Sequence, residues 1–317
     1  MPTLWNGNEG KVIAIFCSDI HLSLNPPIWR SAEPDWFAAM KRPLLELKSI
    51  QEEYECPIIC AGDIFDRWNS PPELINFAFD NLPKMYAIPG QHDLPLHKYE
   101  DIKKSAYLSL VNADIIQNIL PDCFVKKGRL VLHGFPFGFP IKAFEEKWQD
   151  DFEPPKMPAI HIAVVHQYRC VKGKSFLQAP HQSYFRMDEK KLMGYPIIVY
   201  GDNHKGFQTE VNIDSTAFNC GTLMRRKLDE TDYRPQVGLL FESGRVYPYY
   251  LDTSEDKHLE VQNTSSINAS LDMRAFIKEL EKLDATNLDF HDAMKQYLKK
   301  NRVKEAVCNV ILKAMEL

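Results

Sequence analysis

The sequence predicts an α/β protein built around a buried parallel sheet, and three features of its pattern lead to this fold class. Short apolar runs rich in β-branched residues recur along the chain, and amphipathic stretches of helical length separate the early runs. The runs are apolar throughout, which is typical of strands covered on both faces by helices or by a second sheet. Their strand–helix–strand–helix–strand order is that of a parallel sheet.

The elements of this sheet follow one another along the chain. A first strand at 11–17 precedes a helix at 34–54, in which apolar side chains recur at helical spacing. A second strand at 56–61, a shorter helix at 71–82 and a third strand at 85–89 complete the early pattern. Further strands are expected at 160–165, 197–200, 218–224, 237–242 and 245–251, the last two joined by a Ser-Gly turn.

The end of the chain has a different pattern. Residues 253–269 are polar and predict a linker, which separates a domain at 1–252 from a segment at 270–317. That segment carries apolar residues at helical spacing, which predicts a small set of amphipathic helices. Because the segment is near neutral, it is poorly suited to binding DNA by charge alone. Two interpretations stay open: the helices pack together as a small bundle, or they dock a partner.

Composition narrows the class of protein. With 44% hydrophobic and 26% charged residues, the 317-residue chain can bury a substantial core and remain soluble. Its formal net charge of -5 argues against nucleic-acid binding by bulk positive charge, although bound divalent cations would reverse the field locally. The seven scattered cysteines indicate reduced thiols. The polar start and the short apolar runs predict a cytoplasmic protein that does not associate with membranes.

Polar clusters stand where the predicted strands end. Because the carboxyl ends of parallel strands meet at one edge of a sheet, clusters far apart in sequence should converge there. Carboxylate, amide and imidazole side chains together suit divalent cations, and one carboxylate such as Asp63 can bridge two of them about 3.5–4 Å apart. Each cluster alone could be a solvated turn, whereas their joint occurrence indicates a metal site. The residues concerned are Asp19, His21, Asp63, Gln91, His92, His166, Asp202 and His204.

The order of these clusters resembles the calcineurin-like metallophosphoesterase superfamily over residues 16–251. That superfamily is defined by Asp-x-His, Gly-Asp-x-x-Asp-Arg, Gly-Asn-His-Asp, His and Gly-His-x-His in succession. Within it, the stretches 165–167, 219–225 and 234–237 are most similar to SbcD-type DNA-repair nuclease subunits and their shorter phage and bacterial relatives. The resemblance implies a four-layer α/β/β/α sandwich with mixed sheets, followed by a small C-terminal helical segment.

The resemblance also implies two divalent metal ions with defined ligands. The first would be held by Asp19, His21, Asp63 and His204, and the second by Asp63, Gln91, His166 and Asp202. The family has Asn where this chain has Gln91, and His where it has Asp202. We interpret these departures as coupled, since Gln is longer than Asn and Asp reaches less far than His. An added anionic oxygen favours Mn or Mg over Zn, with Fe also open. The alternative is a weak second site and an inactive protein.

By the same resemblance, His92 would stabilise the transition state and protonate the leaving alkoxide after attack by a metal-activated hydroxide. Asp93 would hydrogen-bond the other ring nitrogen of His92.

Arg67 and the run Arg225-Arg226-Lys227 are candidates for phosphate contacts, although Arg67 better suits a role in bracing its loop. Lys172 and Lys174 are further candidates, for which a solvated loop is the favoured interpretation. His133, which stands at the end of a predicted strand and precedes a Gly-Phe-Pro-Phe-Gly stretch, is a further candidate for the rim of the site, although a surface or core position is the commoner role of such a histidine.

Three functions follow from these features. The first is a metal-dependent DNA exonuclease or endonuclease of SbcD-like type, acting with an SMC-like ATPase that docks on the C-terminal helices. Whether the protein forms a homodimer stays open. The second is a phosphodiesterase or phosphatase for a small phosphate ester, and the third is a catalytically silent scaffold. Gly-Gln-His-Asp at 90–93, rather than Gly-Asn-His-Glu, argues against phosphoprotein substrates. The segment after the linker is too short for the DNA-capping domain of larger relatives, which argues against processive resection of duplex ends.

Overall fold

A computed structural model describes residues 9–121, 123–142, 158–174, 183–185, 194–212 and 215–259. Within these ranges, strands form two six-stranded mixed sheets. The strands are β1 Val12–Cys17, β2 Ile58–Cys60, β3 Met85–Ala87, β4 Ile116–Asn118, β5 Phe124–Lys127, β6 Leu130–Phe135, β7 Ile160–His166, β8 Ile197–Gly201, β9 Phe207–Asn212, β10 Ser215–Asn219, β11 Gln236–Phe241 and β12 Val246–Tyr250.

The first sheet has the strand order β12-β11-β1-β2-β3-β4. Strands β1 to β4 run parallel to one another, whereas β11 pairs antiparallel with β1 and β12 antiparallel with β11. The register aligns Cys17 with Cys60 and Cys60 with Ala87, so the carboxyl ends of the first three strands are level. The loops that leave these strands therefore start side by side.

The second sheet has the order β5-β6-β7-β8-β10-β9. Its four central strands, β6, β7, β8 and β10, are parallel, and β5 and β9 pair antiparallel at the two edges. His166 at the end of β7 lies in register with Gly201 at the end of β8. Both sheets thus present several strand ends at one edge, as the apolar runs predict.

Three helices contribute to the described part of the fold: α1 Trp36–Tyr54, α2 Pro72–Asn81 and α3 Ala106–Asn112. The Asp35 side chain caps α1 by accepting a hydrogen bond from the Ala38 N–H, and α2 begins with a proline, whose missing N–H costs nothing in a first turn. Ser105 caps α3 in the same way, through the Leu108 N–H. The sequence predicts α1 and α2 within a few residues but not the seven-residue α3.

Alternation along β1 shows why the runs are apolar throughout. Ile15 and Cys17 join a core with α1, α2 and α3, whereas Ala14 and Phe16 join a second core between the two sheets. Because successive side chains point to opposite faces, a strand buried on both faces must be apolar at every position. The far face of the second sheet carries a third apolar cluster formed by Phe135, Ala163, Val165, Tyr195, Ile198, Tyr200, Val211 and Ala217.

The predicted fold class is therefore confirmed: two mixed sheets pack face to face, with helices on the outer face of the first. The predicted strand at 218–224 is shifted, because β10 ends at Asn219 and the apolar residues after it form a buried loop. All six cysteines in the described part of the chain are unpaired, and all except Cys123 are buried. Among the described residues, no helix combines the length and apolar character needed to cross a bilayer.

The polar stretch after β12 begins as part of the first compact unit, which ends at Leu259. The buried Arg30 guanidinium lies 2.6 Å from Glu33 and 2.9 Å from Asp256, and the Leu259 N–H donates to the Trp29 carbonyl. An ion pair to Asp256 and a main-chain hydrogen bond from Leu259 thus hold residues 253–259 against the first unit. Their polar composition alone predicts a solvated linker instead. The rest of the predicted linker and the helices at 270–317 lie outside the described residues.

Candidate metal centre

The polar clusters at the strand ends come together where the two sheets meet. The loop after β1 is paired with the loop after β2, since the Asp19 N–H donates to the Gly62 carbonyl and the His21 N–H to the Asp63 carbonyl, both at 3.0 Å. The second sheet joins them through the Asp202 N–H, which lies 3.1 Å from a carboxylate oxygen of Asp19. The convergence expected from the strand-end pattern is what the structure shows.

The backbone at the centre is held in a sparsely populated conformation. Asp19, His21, Asp63 and Asp202 all have positive φ, between 48° and 79°. Side chains other than glycine rarely adopt this left-handed region, and such residues concentrate at functional sites where surrounding contacts compensate their strain. The paired loops provide those contacts, and four of the residues predicted to bind metal share this strained backbone.

Two glycines make room for the cluster. Gly62 has φ +100°, and a Cβ there would lie 2.9 Å from the Gly90 nitrogen and still closer to Nδ1 of His166. A Cβ on Gly90 would overlap the Asp63 carboxylate. Any side chain at either position would therefore displace Asp63 or His166, which accounts physically for the glycine that precedes each motif.

The first group of candidate ligands is Asp19, His21, Asp63 and His204. Nε2 of His21 lies 3.0 Å from Nε2 of His204, 3.8 Å from Oδ1 of Asp19 and 3.7 Å from Oδ2 of Asp63. Nε2 of His204 lies 4.0 Å from Oδ1 of Asp19. Donor atoms that each lie about 2.0–2.2 Å from one cation are separated from one another by roughly 3–4 Å. The distances from His21 to the other three side chains, and the distance between His204 and Asp19, match this spacing.

The second group is Asp63, Gln91, His166 and Asp202. Nε2 of His166 lies 2.7 Å from Oε1 of Gln91 and 3.4 Å from Oδ2 of Asp63. The Gln91 amide nitrogen donates to Asp202 at 2.7 Å. The two positions at which this chain departs from the family pattern are therefore in direct contact, as a coupled exchange requires.

One atom lies between the two groups. Oδ2 of Asp63 is buried and has no hydrogen-bond partner among the described residues, although it lies near His21 on one side and His166 on the other. Leaving a buried carboxylate oxygen unsatisfied costs roughly 1–3 kcal/mol or more. Divalent cations on both sides would satisfy this oxygen, so the residues present fit a bridged pair of ions.

The electrostatics of the centre follow from burial and crowding. Burial, helped by the charge of Arg226, holds the pKa of His21 well below its ordinary value and keeps the ring neutral. Burial raises the pKa of Asp19 to about 6, against the opposing charge of His204. Burial disfavours a charged His166, but the adjacent Asp63 carboxylate raises the pKa of His166 well above its usual range. A cation bound at the second group would displace the proton from Nε2 of His166.

A main-chain carbonyl on the side away from the metal centre fixes the orientation of the His166 ring. Its Nδ1 lies 2.5 Å from the Ala61 carbonyl oxygen, which can only accept, so Nδ1 carries a proton and Nε2 points into the centre. On His204, Nδ1 lies 2.9 Å from the Glu230 carboxylate, which orients Nε2 in the same manner. Partners of this kind fix the tautomer and raise the basicity of metal-binding histidines.

The partner of His92 differs from the one expected. Nδ1 of His92 lies 2.9 Å from the main-chain carbonyl of Asp66, not from Asp93. The buried Asp93 carboxylate instead accepts hydrogen bonds from the N–H groups of Ile64, Phe65 and Gly90. The expectation that Asp93 orients the His92 ring is therefore wrong, because three backbone donors occupy the Asp93 carboxylate. Burial and the charge of Asp63 raise the pKa of Asp93 to about 7.

The three arginines proposed as phosphate contacts have different environments. Arg67 is exposed. Arg225 lies beside Arg30, which donates to the Arg225 main-chain carbonyl at 3.2 Å. Arg226 is buried, and its guanidinium pairs with the Asp66 carboxylate at 2.9 Å. Among these arginines, Arg226 reaches the centre, where it braces the Asp66 loop that holds His92.

His133 does not lie at the rim of the site. It is buried within β6, its Nε2 lies 3.0 Å from Nδ1 of His161, and it packs beside Tyr195. The expectation of a rim role rested on a strand ending at this position, whereas β6 continues to Phe135.

Several residues of the site carry no signal that sequence reasoning used. A cavity of about 290 Å³ opens beside Gln91, His92, Asp202 and His204, and its wall includes Tyr168, Lys205 and Glu230. Lys227, a predicted phosphate contact, also lines this cavity. Lys205 directly follows His204, and that adjacency could have marked it. Glu230, 26 positions beyond His204, lies in a polar run without a motif.

The stretch at 219–222 positions main-chain atoms of the centre. The Thr222 hydroxyl lies 2.9 Å from the Asp19 carbonyl, and the Asn219 amide donates to the Asn203 carbonyl at 3.0 Å. The Asn219 side-chain oxygen also accepts from the Gly221 N–H. These buried bonds tie the loop after β10 to the loops carrying Asp19 and His204.

Comparison with known proteins identifies the class. The family model of the calcineurin-like phosphoesterases matches residues 14–206, more than half of the chain. The chain belongs to this family, whose members are metal-dependent phosphoesterases, and the matched range contains every residue of the two ligand groups. No curated protein shows significant similarity to the sequence.

Solved structures with related folds share little sequence with the chain. The NAD nucleotidase of Haemophilus influenzae is 15% identical, with a TM-score of 0.38 and coverage of 92% of this chain and 60% of its own. A 5′-nucleotidase from Candida albicans is 14% identical, with a TM-score of 0.39 and coverage of 78% and 56%. A calcineurin-like phosphoesterase from Bacillus subtilis is 12% identical, with a TM-score of 0.38 and coverage of 75% and 87%. This chain thus spans little more than half the length of the two nucleotidases, and likeness at this level does not indicate a substrate.

Proposed function

We propose that the protein hydrolyses phosphodiester bonds with two divalent ions, and that its substrate is DNA, as in nucleases of SbcD-like type. The observation that carries the phosphoesterase part is Oδ2 of Asp63, a buried acceptor without a partner between two groups of metal-binding side chains. When bound, two divalent ions neutralise phosphate charge and lower the pKa of a water molecule that attacks phosphorus.

The chain's own residues supply positioning and a proton. Because the Asp66 carbonyl accepts from Nδ1 of His92, the other ring nitrogen is the atom that can protonate the leaving alkoxide. The His92 N–H also donates to Oδ1 of Asp63 at 2.9 Å, which ties the proton donor to the bridging carboxylate. The loop of His92 therefore cannot shift without moving Asp63, so acid and metal ligand keep a fixed geometry.

The DNA part of the proposal is supported by two features. Lys205 and Lys227 stand in the wall of the cavity beside His92, where they would offset the charges of a phosphate backbone. The Asn-Cys-Gly-Thr stretch at 219–222, which resembles the nuclease subunits, braces the loop carrying Asp19. Because the overall charge of the chain is -5, the attraction of DNA would have to come from Lys205 and Lys227 and from bound cations.

A second candidate function is hydrolysis of a small nucleotide ester. The cavity of about 290 Å³ favours it, since it is at the lower end of the size range of small-molecule pockets. The third candidate, a silent scaffold, is favoured by the contact between Gln91 and Asp202, in which two ligands of the second ion partly satisfy each other.

A hydrolysis assay with DNA, a small diester and a small monoester separates these functions. The protein, loaded with Mn²⁺, is incubated with labelled single- and double-stranded DNA, with bis(p-nitrophenyl) phosphate and with p-nitrophenyl phosphate, beside an Asp63→Ala control. Cleavage of DNA and of the diester, lost in the control, supports the proposed nuclease. Hydrolysis of the small esters alone supports the second function. Failure on every substrate contradicts the enzyme proposal and leaves the scaffold.

A further inference from the structure

A second cavity, of about 490 Å³, lies between the edge strands of the two sheets. Its walls include Phe207 and Gln208 of β9, Tyr250 of β12, and Arg234 and Gln236 around the start of β11. We call this the edge cavity. None of these side chains has a part in metal binding or proton transfer as described above.

The edge cavity adjoins the metal centre. Lys205 stands in the wall of the cavity beside His92, and the next residue, Gly206, stands in the wall of the edge cavity. Asn203 lines the first cavity and donates, at 2.8 Å, to the carbonyl of Lys174, which lines the second. Among the described residues, only the loops that contain Lys174 and residues 203–206 therefore separate the edge cavity from the cavity beside His92.

The strand register places both cavities at the same edge of the sandwich. Phe207 at the start of β9 pairs with Asn219 at the end of β10, and Gln236 at the start of β11 pairs with Tyr250 at the end of β12. The Asn219 amide also donates to the carbonyl of Asn203, in the loop that carries Asp202 and His204. The edge cavity thus continues the row of strand ends that forms the metal centre.

The lining of the edge cavity suits a nucleobase. The Arg234 guanidinium lies over the Tyr250 ring, 4.5 Å from its centroid, and Tyr250 is 42% exposed. Aromatic rings and guanidinium planes are the surfaces on which unpaired bases stack, and side-chain amides such as those of Gln208 and Gln236 can hydrogen-bond base edges. The volume lies within the range of small-molecule pockets.

We propose that the edge cavity binds the base and sugar of a nucleotide unit next to the phosphate held at the metal centre. This inference rests on the proposed function and sharpens it, because the substrate must then be a nucleotide-containing ester with an unpaired base. A single strand or a frayed end of DNA satisfies that requirement, whereas a fully paired duplex does not.

The kinetic test compares two diesters that release the same p-nitrophenolate: the p-nitrophenyl ester of thymidine 5′-monophosphate, which has a base, and bis(p-nitrophenyl) phosphate, which has none. Arg234→Ala and Gln208→Ala should each lower the ratio of kcat/KM for the first substrate to that for the second, by roughly tenfold for Arg234→Ala. Arg245→Ala is the matched control, since it removes the same charge at the opposite end of β12 and should leave the ratio unchanged. A ratio that Arg234→Ala does not alter overturns the inference.

A binding measurement keeps the inference independent of activity. In EDTA, thymidine 5′-monophosphate titrated calorimetrically should bind the wild type and the Arg245→Ala control equally, and Arg234→Ala roughly tenfold more weakly. If the protein hydrolyses neither diester, the proposed function fails and this titration alone decides the edge cavity. Absence of binding to the wild type, or equal binding to Arg234→Ala, overturns the inference.

Discussion

The ring of His92 is held at one nitrogen by the Asp66 carbonyl, and its backbone is tied to Asp63. His92 belongs to neither ligand group inferred from the resemblance, although its ring lies near enough to His21 and Asp63 to be a further candidate ligand. We assign it the role of proton donor. Arg226, paired with the Asp66 carboxylate, stabilises the loop that supplies the carbonyl. The role of His92 therefore depends on contacts from two separate segments of the chain, the loop of Asp63 and Asp66 and the loop of Arg226.

Replacement of His92 by alanine tests this role. His92→Ala should lower turnover of an alkyl phosphodiester by roughly 10²–10⁴-fold, the usual contribution of a general acid, while metal content and melting temperature stay near those of the wild type. With a p-nitrophenyl ester, whose leaving group needs no proton, the loss should be much smaller. Equal losses on both substrates would mean that His92 does not act as the proton donor.

Glu230 is expected to act through His204. Removing its charge in Glu230→Gln should weaken metal binding by roughly 10–100-fold, because the carboxylate orients His204 and raises its basicity. Activity should return when Mn²⁺ is raised to saturation, which separates weaker binding from lost chemistry. Glu210→Gln, which removes an exposed carboxylate on β9, is the control. An unchanged metal affinity in Glu230→Gln contradicts the assignment.

At the scale of single residues, sequence reasoning found the groups that form motifs and missed those that do not. Asp19 and Asp63 directly follow apolar runs, so their place at strand ends was predictable. Glu230 joins the site only through the packing of loops, and no spacing relates it to a strand end. Tyr168 lies two residues beyond the end of β7 but belongs to no motif that marks a ligand. The partner of His92 was assigned wrongly because sequence cannot tell a carbonyl acceptor from a nearby carboxylate.

At the scale of elements, strands β6 and β7 contain a buried pair of histidines. Burial lowers the pKa of His133 to about 3 and also lowers that of His161. In the unfolded chain both would titrate near 6.5. Since the folded state resists protonation, their contribution to stability is present above pH 6.5 and is lost as the pH falls from there towards 3.

The expected effect is measurable by denaturant unfolding. Between pH 7.5 and pH 5, the free energy of unfolding of the wild type should fall by about 2 kcal/mol more than that of His133→Gln, since an unfolded histidine of pKa near 6.5 takes up its proton over this interval. The difference between the two proteins removes the contribution of the carboxylates. Parallel pH profiles for wild type and variant would show that His133 titrates normally in the fold.

Strands that are apolar at nearly every position were predictable, whereas the full extent of β6, which carries His133 and Gly134, and several short or edge strands were not. Strands β1 and β8 are apolar at almost every position, whereas β5 has partly buried and exposed residues and lies at a sheet edge. The predicted strand at 218–224 ran too far, because burial of Leu223 and Met224 in a loop gives the same apolar signal as a strand. A run of apolar residues indicates that a segment is buried, and buried segments can be loops as well as strands or helices.

At the scale of the whole molecule, the centre joins the two sheets. Contacts such as Asp202 N–H to Asp19 and His166 to the Ala61 carbonyl cross from one sheet to the other. The described unit ends at Leu259 and already contains both ligand groups. We therefore propose that the segment beyond the linker serves to dock an SMC-like ATPase rather than to complete the site.

Truncation tests this division. A chain without residues 266–317 should keep its melting temperature, its metal content and its basal activity on bis(p-nitrophenyl) phosphate, because the catalytic groups and their supports all precede Leu259. It should lose co-elution with an SMC-like ATPase in size-exclusion chromatography. A truncated protein that unfolds or aggregates would place the terminal helices in the core and remove the docking proposal.

The metal stoichiometry of the purified protein tests the central claim most directly. After equilibration with Mn²⁺ and removal of free ion, elemental analysis should find two ions per wild-type chain. In Asp63→Ala, where the carboxylate oxygen shared by both ligand groups is gone, it should find fewer than one. Wild-type protein without bound metal, or an Asp63→Ala variant that retains two ions, would contradict a bridged two-metal centre.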